Sequence, residues 1–220
     1  MEMDISIREG KCKVIYGPAK RIVHTTEQAV GLVLLGMANR TGGAPSQWQD
    51  FLQTHGIAVG QSGNKALTLY VSQAKQRTIL YRVGTTGGSK LVVTIPTLLI
   101  ATAFEQGRLV HSKIFVIKAG LEHKLTTTLT EPILTAFPYG NVHDDGRVCW
   151  GSASTRDIKT PMDMEEIFFG SAFNHDLFNR GTIGCSDPDL ATLVSRVNGA
   201  LPLPPNYSRS IGQVVQDLGR

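Results

Sequence analysis

Disulfide chemistry has little to work with in this chain. Its 220 residues hold three cysteines, Cys12, Cys149 and Cys185, an odd number with no Cys-x-x-Cys pair. That speaks against a disulfide framework and a zinc knuckle, and fits a reducing cytosol. Long apolar runs are missing too. The longest, LVVTIPTLLIATAF at residues 91–104, is shorter than the roughly 20 residues a membrane helix needs, and it contains Pro96. The N-terminal MEMDISIREGKCKVIYG alternates charged and apolar residues without the apolar core of a signal peptide. The expectation is a soluble, cytoplasmic protein with no membrane partner.

A dense patch of one charge is also absent. The net charge of +4 divides into +8 over residues 1–120 (14 Lys and Arg against 6 acids) and −4 over residues 121–220 (8 against 12). The basic residues are scattered singly, as Lys11, Lys13, Lys20, Arg21, Lys75, Arg77 and Arg82. A solvated or protein-docking face is the expected use, and no nucleic-acid partner.

What is present is a run of strand-like segments followed by helix-like ones. CKVIYG and RIVHT read as strands around Gly17–Pro18. EQAVGLVLLGMANR reads as a helix with a buried face, and PSQWQDFLQTHG as a short helix. KALTLYVS, RTILYRV and SKLVVTI, joined by short polar spacers, predict an antiparallel meander that continues to LVHSKIFVIKA; PTLLIATAFEQG between them fits either strand or helical turn. Residues 125–154 read as an irregular, exposed segment packed on the sheet. Thr160, Pro161 and Asp163 form a helix start for MDMEEIFFGSAFNHDLF, with Met164, Phe168, Ala172 and His175 on one stripe. DPDLATLVSRVNG predicts another capped helix, and LPLPPNYSRS the end of the ordered core. This order predicts α+β, an antiparallel β-meander with flanking helices, in one domain over residues 1–220 with residues 1–60 as an N-terminal elaboration.

Three motifs do not hold up. GTTGGSK at residues 84–90 lacks the Gly-Lys-Ser/Thr order of a phosphate loop and reads as a hairpin loop. His143, Asp144 and Asp145 are adjacent on a turn and cannot all face one ion, so no metal is expected. Asn206-Tyr-Ser is a glycosylation pattern only in a secreted chain.

The remaining stretch is PYGNVHDDGRVCWG, residues 138–151, which presents one thiol after a Gly-containing turn. A reactive cysteine must be accessible and have nearby donors or positive charge. Asn141 lies eight residues upstream of Cys149, and a reverse turn through HDDG folds it back over the thiol. Its carboxamide would then hold the oxyanion of a tetrahedral intermediate, an effect of roughly 3–4 kcal/mol. The competing reading is that Val148, Cys149 and Trp150 simply plug the segment into the core.

NVHDDGRVCW resembles the active-site signature of ubiquitin-conjugating enzymes, with the Asn kept and the preceding His and Pro replaced by Tyr139 and Gly140. Residues 137–175 are similar to a bacterial branch, the prokaryotic conjugating-enzyme family D, which includes PRTRC system protein B. The shared features are P-x-x-NV, G-x-VC-x-G and the downstream FFGSAFNH; the upstream GRLVHSKIFVIKAG also looks like that branch's last strand.

The resemblance implies the ubiquitin-conjugating-enzyme (UBC) fold. It makes Cys149 the thioester-forming cysteine, Asn141 the oxyanion-supporting signature residue, and His175 the branch's histidine C-terminal to the cysteine. Asp144 and Asp145 are candidates for positioning a lysine nucleophile. The implied partners are a ubiquitin-like modifier protein, an adenylating activating enzyme and a target protein, with no cofactor on this chain. Such systems resemble those found on plasmids and in antiviral defence islands. Two rivals are a non-catalytic binding module with a degenerate conjugating fold and a cysteine hydrolase using Cys149, His175 and Asp176 or Asp157. The second normally starts a helix at its nucleophile.

Overall fold

LLIATAFE is nearly unbroken in apolar character, as expected of a strand covered on both faces. In the computed structural model, which describes residues 3–8, 11–16, 21–26, 52–54, 57–62, 64–82, 88–121 and 130–220, it is the central strand of the largest sheet. Three strands, β1 (Met3–Arg8), β2 (Lys11–Tyr16) and β3 (Arg21–Thr26), form one antiparallel sheet. A six-stranded antiparallel sheet follows: β4 (Leu52–Thr54), β5 (Ile57–Ser62), β6 (Lys65–Ser72), then β9 (Leu98–Glu105), β10 (Arg108–Ile117) and β11 (Leu134–Ala136). Between β6 and β9 the chain leaves this sheet to make an antiparallel hairpin, β7 (Lys75–Tyr81) and β8 (Ser89–Ile95). A short strand, β12 (Ala172–Phe173), joins β7 in parallel to complete the third sheet.

Two expectations about the strands change here. An antiparallel meander exists, but 77–83 and 89–95 do not belong to it: β6 pairs with β9, from Lys65↔Glu105 to Ser72↔Leu98. The ambiguous PTLLIATAFEQG supplies that inner strand. Its hairpin to β10 turns through Gln106 and Gly107, both at positive φ (49° and 74°), as a two-residue turn matching strand twist requires. The hairpin expected around GTTGGSK is present as β7–β8 pairing from Tyr81↔Ser89 onward.

Side chains alternate across β9 and β10, as period-two geometry dictates. Leu98, Ile100, Ile114 and Val116 enter one core with the β7–β8 hairpin and the helices α1 (Pro161–Gly170), α2 (Arg180–Ile183) and α3 (Leu190–Arg196). Leu99, Ala101, Phe115 and Ile117 enter the opposite core. That face is covered by α4 (Ile211–Gly219) through Ile211, Val214, Val215 and Leu218. The ordered core therefore continues past LPLPPNYSRS. A Ser210–Gln213 capping box starts α4, and buried Lys113 on β10 reaches Asp217 on the helix at 3.1 Å. The architecture is α+β.

Three further expectations need correction. Within PSQWQDFLQTHG, Leu52–Thr54 is a strand paired with β5, because extended pairing to Ala58 and its neighbours outweighs a weak local helix signal; the rest of that segment, like the helix read at 27–40, lies outside the described residues. The 125–154 stretch is not exposed throughout: Ile133 to Thr135 and Phe137 to Val142 are buried. The helix after Thr160 stops at Gly170. Ser171 takes an extended conformation and its hydroxyl donates to the Phe168 carbonyl at 2.6 Å. The chain then pairs with β7, burying Phe173 among Phe137, Phe168 and Phe169. Ala172 and His175 accordingly leave the stripe. DPDLATLVSRVNG forms α3 with Asp189 as N-cap, as expected.

The polar clasp that holds α1 is centred on Glu165, which is 2% exposed. Its carboxylate accepts from Ser72 Oγ at 2.5 Å and pairs with Lys75 Nζ at 2.9 Å and Arg77 at 2.8 Å. Arg77 also pairs with Glu166 and lies 4.7 Å from the centroid of the Phe169 ring. Desolvation works against the Arg77 charge, but the two carboxylates outweigh it and raise its pKa.

Removing one partner of a buried ion network strands the other, typically at 3–5 kcal/mol. Glu165→Ala is expected to destabilise the fold by about 3 kcal/mol, read as a lower urea midpoint at unchanged slope. At the start of α1, one Asp163 oxygen accepts from Thr160 Oγ1, Thr160 N and Lys159 N. The Thr160 hydroxyl, helped by those amides, depresses the Asp163 pKa. Stability from this capping box is present above the ordinary carboxylate pKa and is lost as pH falls through the depressed value. Asp163→Asn is therefore expected to give a flatter fall in thermal midpoint on acidification than the parent chain.

Candidate active site

PYGNVHDDGRVCWG folds into a tight two-stranded ribbon. Val142 bridges Val148 in antiparallel fashion; the Cys149 N–H donates to the Asn141 carbonyl at 2.7 Å and the His143 N–H to the Arg147 carbonyl at 2.9 Å. The turn closes with the Gly146 N–H on the His143 carbonyl at 2.8 Å. Gly146 has φ +86°, and a Cβ there would stand 2.4 Å from the Phe115 ring, so only glycine fits. The ribbon lies against β10, with Val148 N–H donating to the Ser112 carbonyl and Ile114 N–H to the Gly146 carbonyl.

Alternation along this ribbon settles how Cys149 is presented. Val148 is buried, and Trp150 is anchored through Nε1–H to Ser112 Oγ at 3.1 Å and edge-on to Phe168 at 6.4 Å. Both neighbours plug into the protein, while Cys149 between them is exposed. The anchoring reading holds for the flanks and fails for the thiol.

Asn141 faces Cys149 across the ribbon and is 7% exposed. It follows Gly140 (φ 116°) and itself adopts φ +57°, a left-handed conformation that Asn tolerates better than most residues. Its Nδ2 donates to the Ala172 carbonyl at 2.9 Å and contacts Ser171 Oγ at 3.5 Å. The carboxamide thus ties the cysteine ribbon to the strand that follows α1.

Cys149 and Asn141 open onto a cavity of about 820 Å³. One wall is the run Trp150 to Ala153 and the other is Gly170 to Asn174, with Leu80 and Arg82 of the β7 end behind. Both walls are rich in Gly, Ala and Ser. Four titratable side chains line it: Cys149, His143, Arg82 and Asp176.

The other expected site residues lie elsewhere. His175 is exposed, pairs with Asp176 at 3.5 Å, and does not line the cavity; its neighbour Asp176 does. Asp144 accepts from Asn179 Nδ2 at 2.7 Å. It borders a separate cavity of about 260 Å³ that also touches His143 and Thr182. Asp145 is held by Arg147. Burial works against its charge, but the Arg147 amide and guanidinium hold its pKa below the usual range. The structure thus brings Cys149 and Asn141 together, and not His175, Asp144 or Asp145. His143 and Arg82 are cavity residues that the sequence reading left out of the site. His143 was legible in principle, two residues beyond Asn141 and so on the same face of any ribbon formed there. No helix starts at Cys149; the chain to Thr160 is loop, unlike the arrangement expected of a cysteine hydrolase. Among the described residues no cluster of three or more His, Cys, Asp or Glu is placed to hold a metal, and no helix is long and apolar enough to cross a membrane.

The ribbon's fit to β10 gives a direct test. Gly146→Ala combines a positive φ with overlap on a buried ring, and is expected to cost about 3 kcal/mol, read as a lowered urea midpoint.

No curated protein and no solved structure matches the chain. A family model does, over residues 35–197, and its description is Prokaryotic E2 family D. The match covers the six-stranded sheet from β4 to β11, the thiol-bearing ribbon, the cavity walls and α3, so the chain belongs to the prokaryotic E2 family D.

Proposed function

We propose that this chain is a ubiquitin-like-protein conjugating enzyme acting in the bacterial cytoplasm, with residues 1–220 as one domain built on a variant of the UBC fold. Cys149 takes the C-terminal acyl group of a modifier from the thioester of an activating enzyme. Its thiolate attacks the carbonyl carbon, a new C–S bond forms, and the activating enzyme's thiolate leaves. A lysine amine of a target then attacks the same carbon and Cys149 departs as the thiolate. ATP is consumed by the activating partner, so this chain needs no cofactor.

The observation that carries this reading is the exposed thiol of Cys149 at the mouth of a cavity, held out by two anchored neighbours, in a chain of this family. The small residues of both walls suit an extended tail ending in glycine. Asn141 supports the oxyanion, exchanging its hydrogen bond to the Ala172 carbonyl; its backbone pairing with Cys149 supports this role. Asp144, Asp145 and His175 would then act from outside the cavity, on the approach of the target lysine.

The test is intact-protein mass spectrometry after incubation with the modifier, its activating enzyme and Mg-ATP, with Cys149→Ala in parallel. A thiol-labile adduct of modifier mass on the parent chain only is expected. No adduct, with the activating enzyme itself charged, would replace this reading with that of a binding module.

A further inference from the structure

The amine that attacks a thioester must lose a proton, and the cavity holds few groups able to take one. Arg82 is permanently charged and cannot accept. Asp176 is engaged by Asn174 Nδ2 at 2.8 Å and by His175. Cys149 is the leaving group. His143 remains. Its backbone N–H and carbonyl are used within the turn, but among the described residues nothing bonds its ring. Its ring nitrogens are not among the buried atoms left without a partner, so they are open to solvent and to whatever enters the cavity.

Its position fits the task. Val142 and Val148 point into the core, so His143 takes the ribbon face that also carries Cys149. The two are diagonal neighbours, a relation that separates residues by about 7–8 Å. Both residues line the same cavity, on which an amine attacking a carbonyl held on the sulfur would converge.

We propose that His143 is the proton acceptor for the incoming amine. This rests on the acyl-transfer reading above. The amine lone pair forms the C–N bond, and the neutral imidazole takes the proton from nitrogen. The C–S bond breaks to release the Cys149 thiolate, and the imidazolium then yields its proton to solvent. The charged groups around His143 are Arg82 and Asp176 across the cavity, and Asp144, Asp145 and Arg147 on its own turn. The last two neutralise each other, and Asp144 is held by Asn179.

The test uses the full chain charged with modifier on Cys149, separated from the activating enzyme and chased over about pH 6 to 9 with free lysine or with hydroxylamine. The ε-amine of the first is almost wholly protonated over that range and needs a base; the second is a far weaker base and carries a free lone pair over most of it. With His143→Gln, discharge to lysine per charged molecule is expected to fall at least about tenfold, while discharge to hydroxylamine falls less than about threefold. Equal losses with both nucleophiles would mean a merely architectural role and overturn the inference, as would an unchanged lysine rate. A parent chain that never becomes charged would overturn the acyl-transfer reading and this inference with it, a result distinct from a charged chain whose discharge ignores His143. Since charging of Cys149 by the activating enzyme requires the folded chain, a variant that becomes charged also reports that it folds.

Discussion

A single buried carboxylate holds three layers of this protein together. Glu165 of α1 binds Ser72 at the end of β6 and Lys75 and Arg77 at the start of β7, the very place where the chain crosses from one sheet to another. An unpaired carboxylate in that position would be prohibitively costly, so the helix can dock only where all three partners converge. The apolar residues Met164, Phe168 and Phe169 supply the burial on the same helix, and the ionic clasp sets which rotation of the helix is allowed. A buried network adds less to net stability than to uniqueness of packing in some systems; here it fixes the helix against both sheets at once.

From that fixed helix the thiol site follows by short steps. The end of α1 delivers Ser171 and Ala172 to the place where Asn141 reaches them. Phe173 locks the junction into the aromatic cluster, and Phe168 in turn backs Trp150, the neighbour of Cys149. The other support is β10, whose Ser112 receives both the Val148 amide and the Trp150 indole. An exposed cysteine on a loop would be imprecise by itself. This one is carried by a ribbon supported from two rigid elements, which fixes where the thiol stands.

Much of this was readable from the chain, and the failures have physical reasons. Strands with alternating or continuous apolar character, the Thr160–Asp163 capping box and the Asp189 cap announce themselves locally. The pairing partners do not. Nothing local in KALTLYVS says that it pairs with the strand beyond the next hairpin, because strand partners are chosen by tertiary packing. The helix ending at Gly170 was missed because FFGSAFNH keeps a helical period, while the competing gain, burial of Phe173 against Phe137 and Phe169, is tertiary. His175 entered the site reading through the family resemblance; it lies outside the cavity, whereas His143 lines it. The pairing of Asn141 with Cys149 was legible in their spacing, which a ribbon with a Gly146 turn enforces.

The sheet's second face has a consequence for how the molecule comes to exist. Leu99, Ala101, Phe115 and Ile117 are covered by α4, a helix encoded long after the strands it protects. Pairing of β6, β9 and β10 therefore creates a broad apolar surface before its cover is available, and contacts this distant in sequence form slowly. The interval is a window for self-association. Lys113, buried under α4 against Asp217, puts a charge in the middle of that surface during the wait, a gatekeeper in the nascent sheet that becomes an ion-pair partner in the finished one.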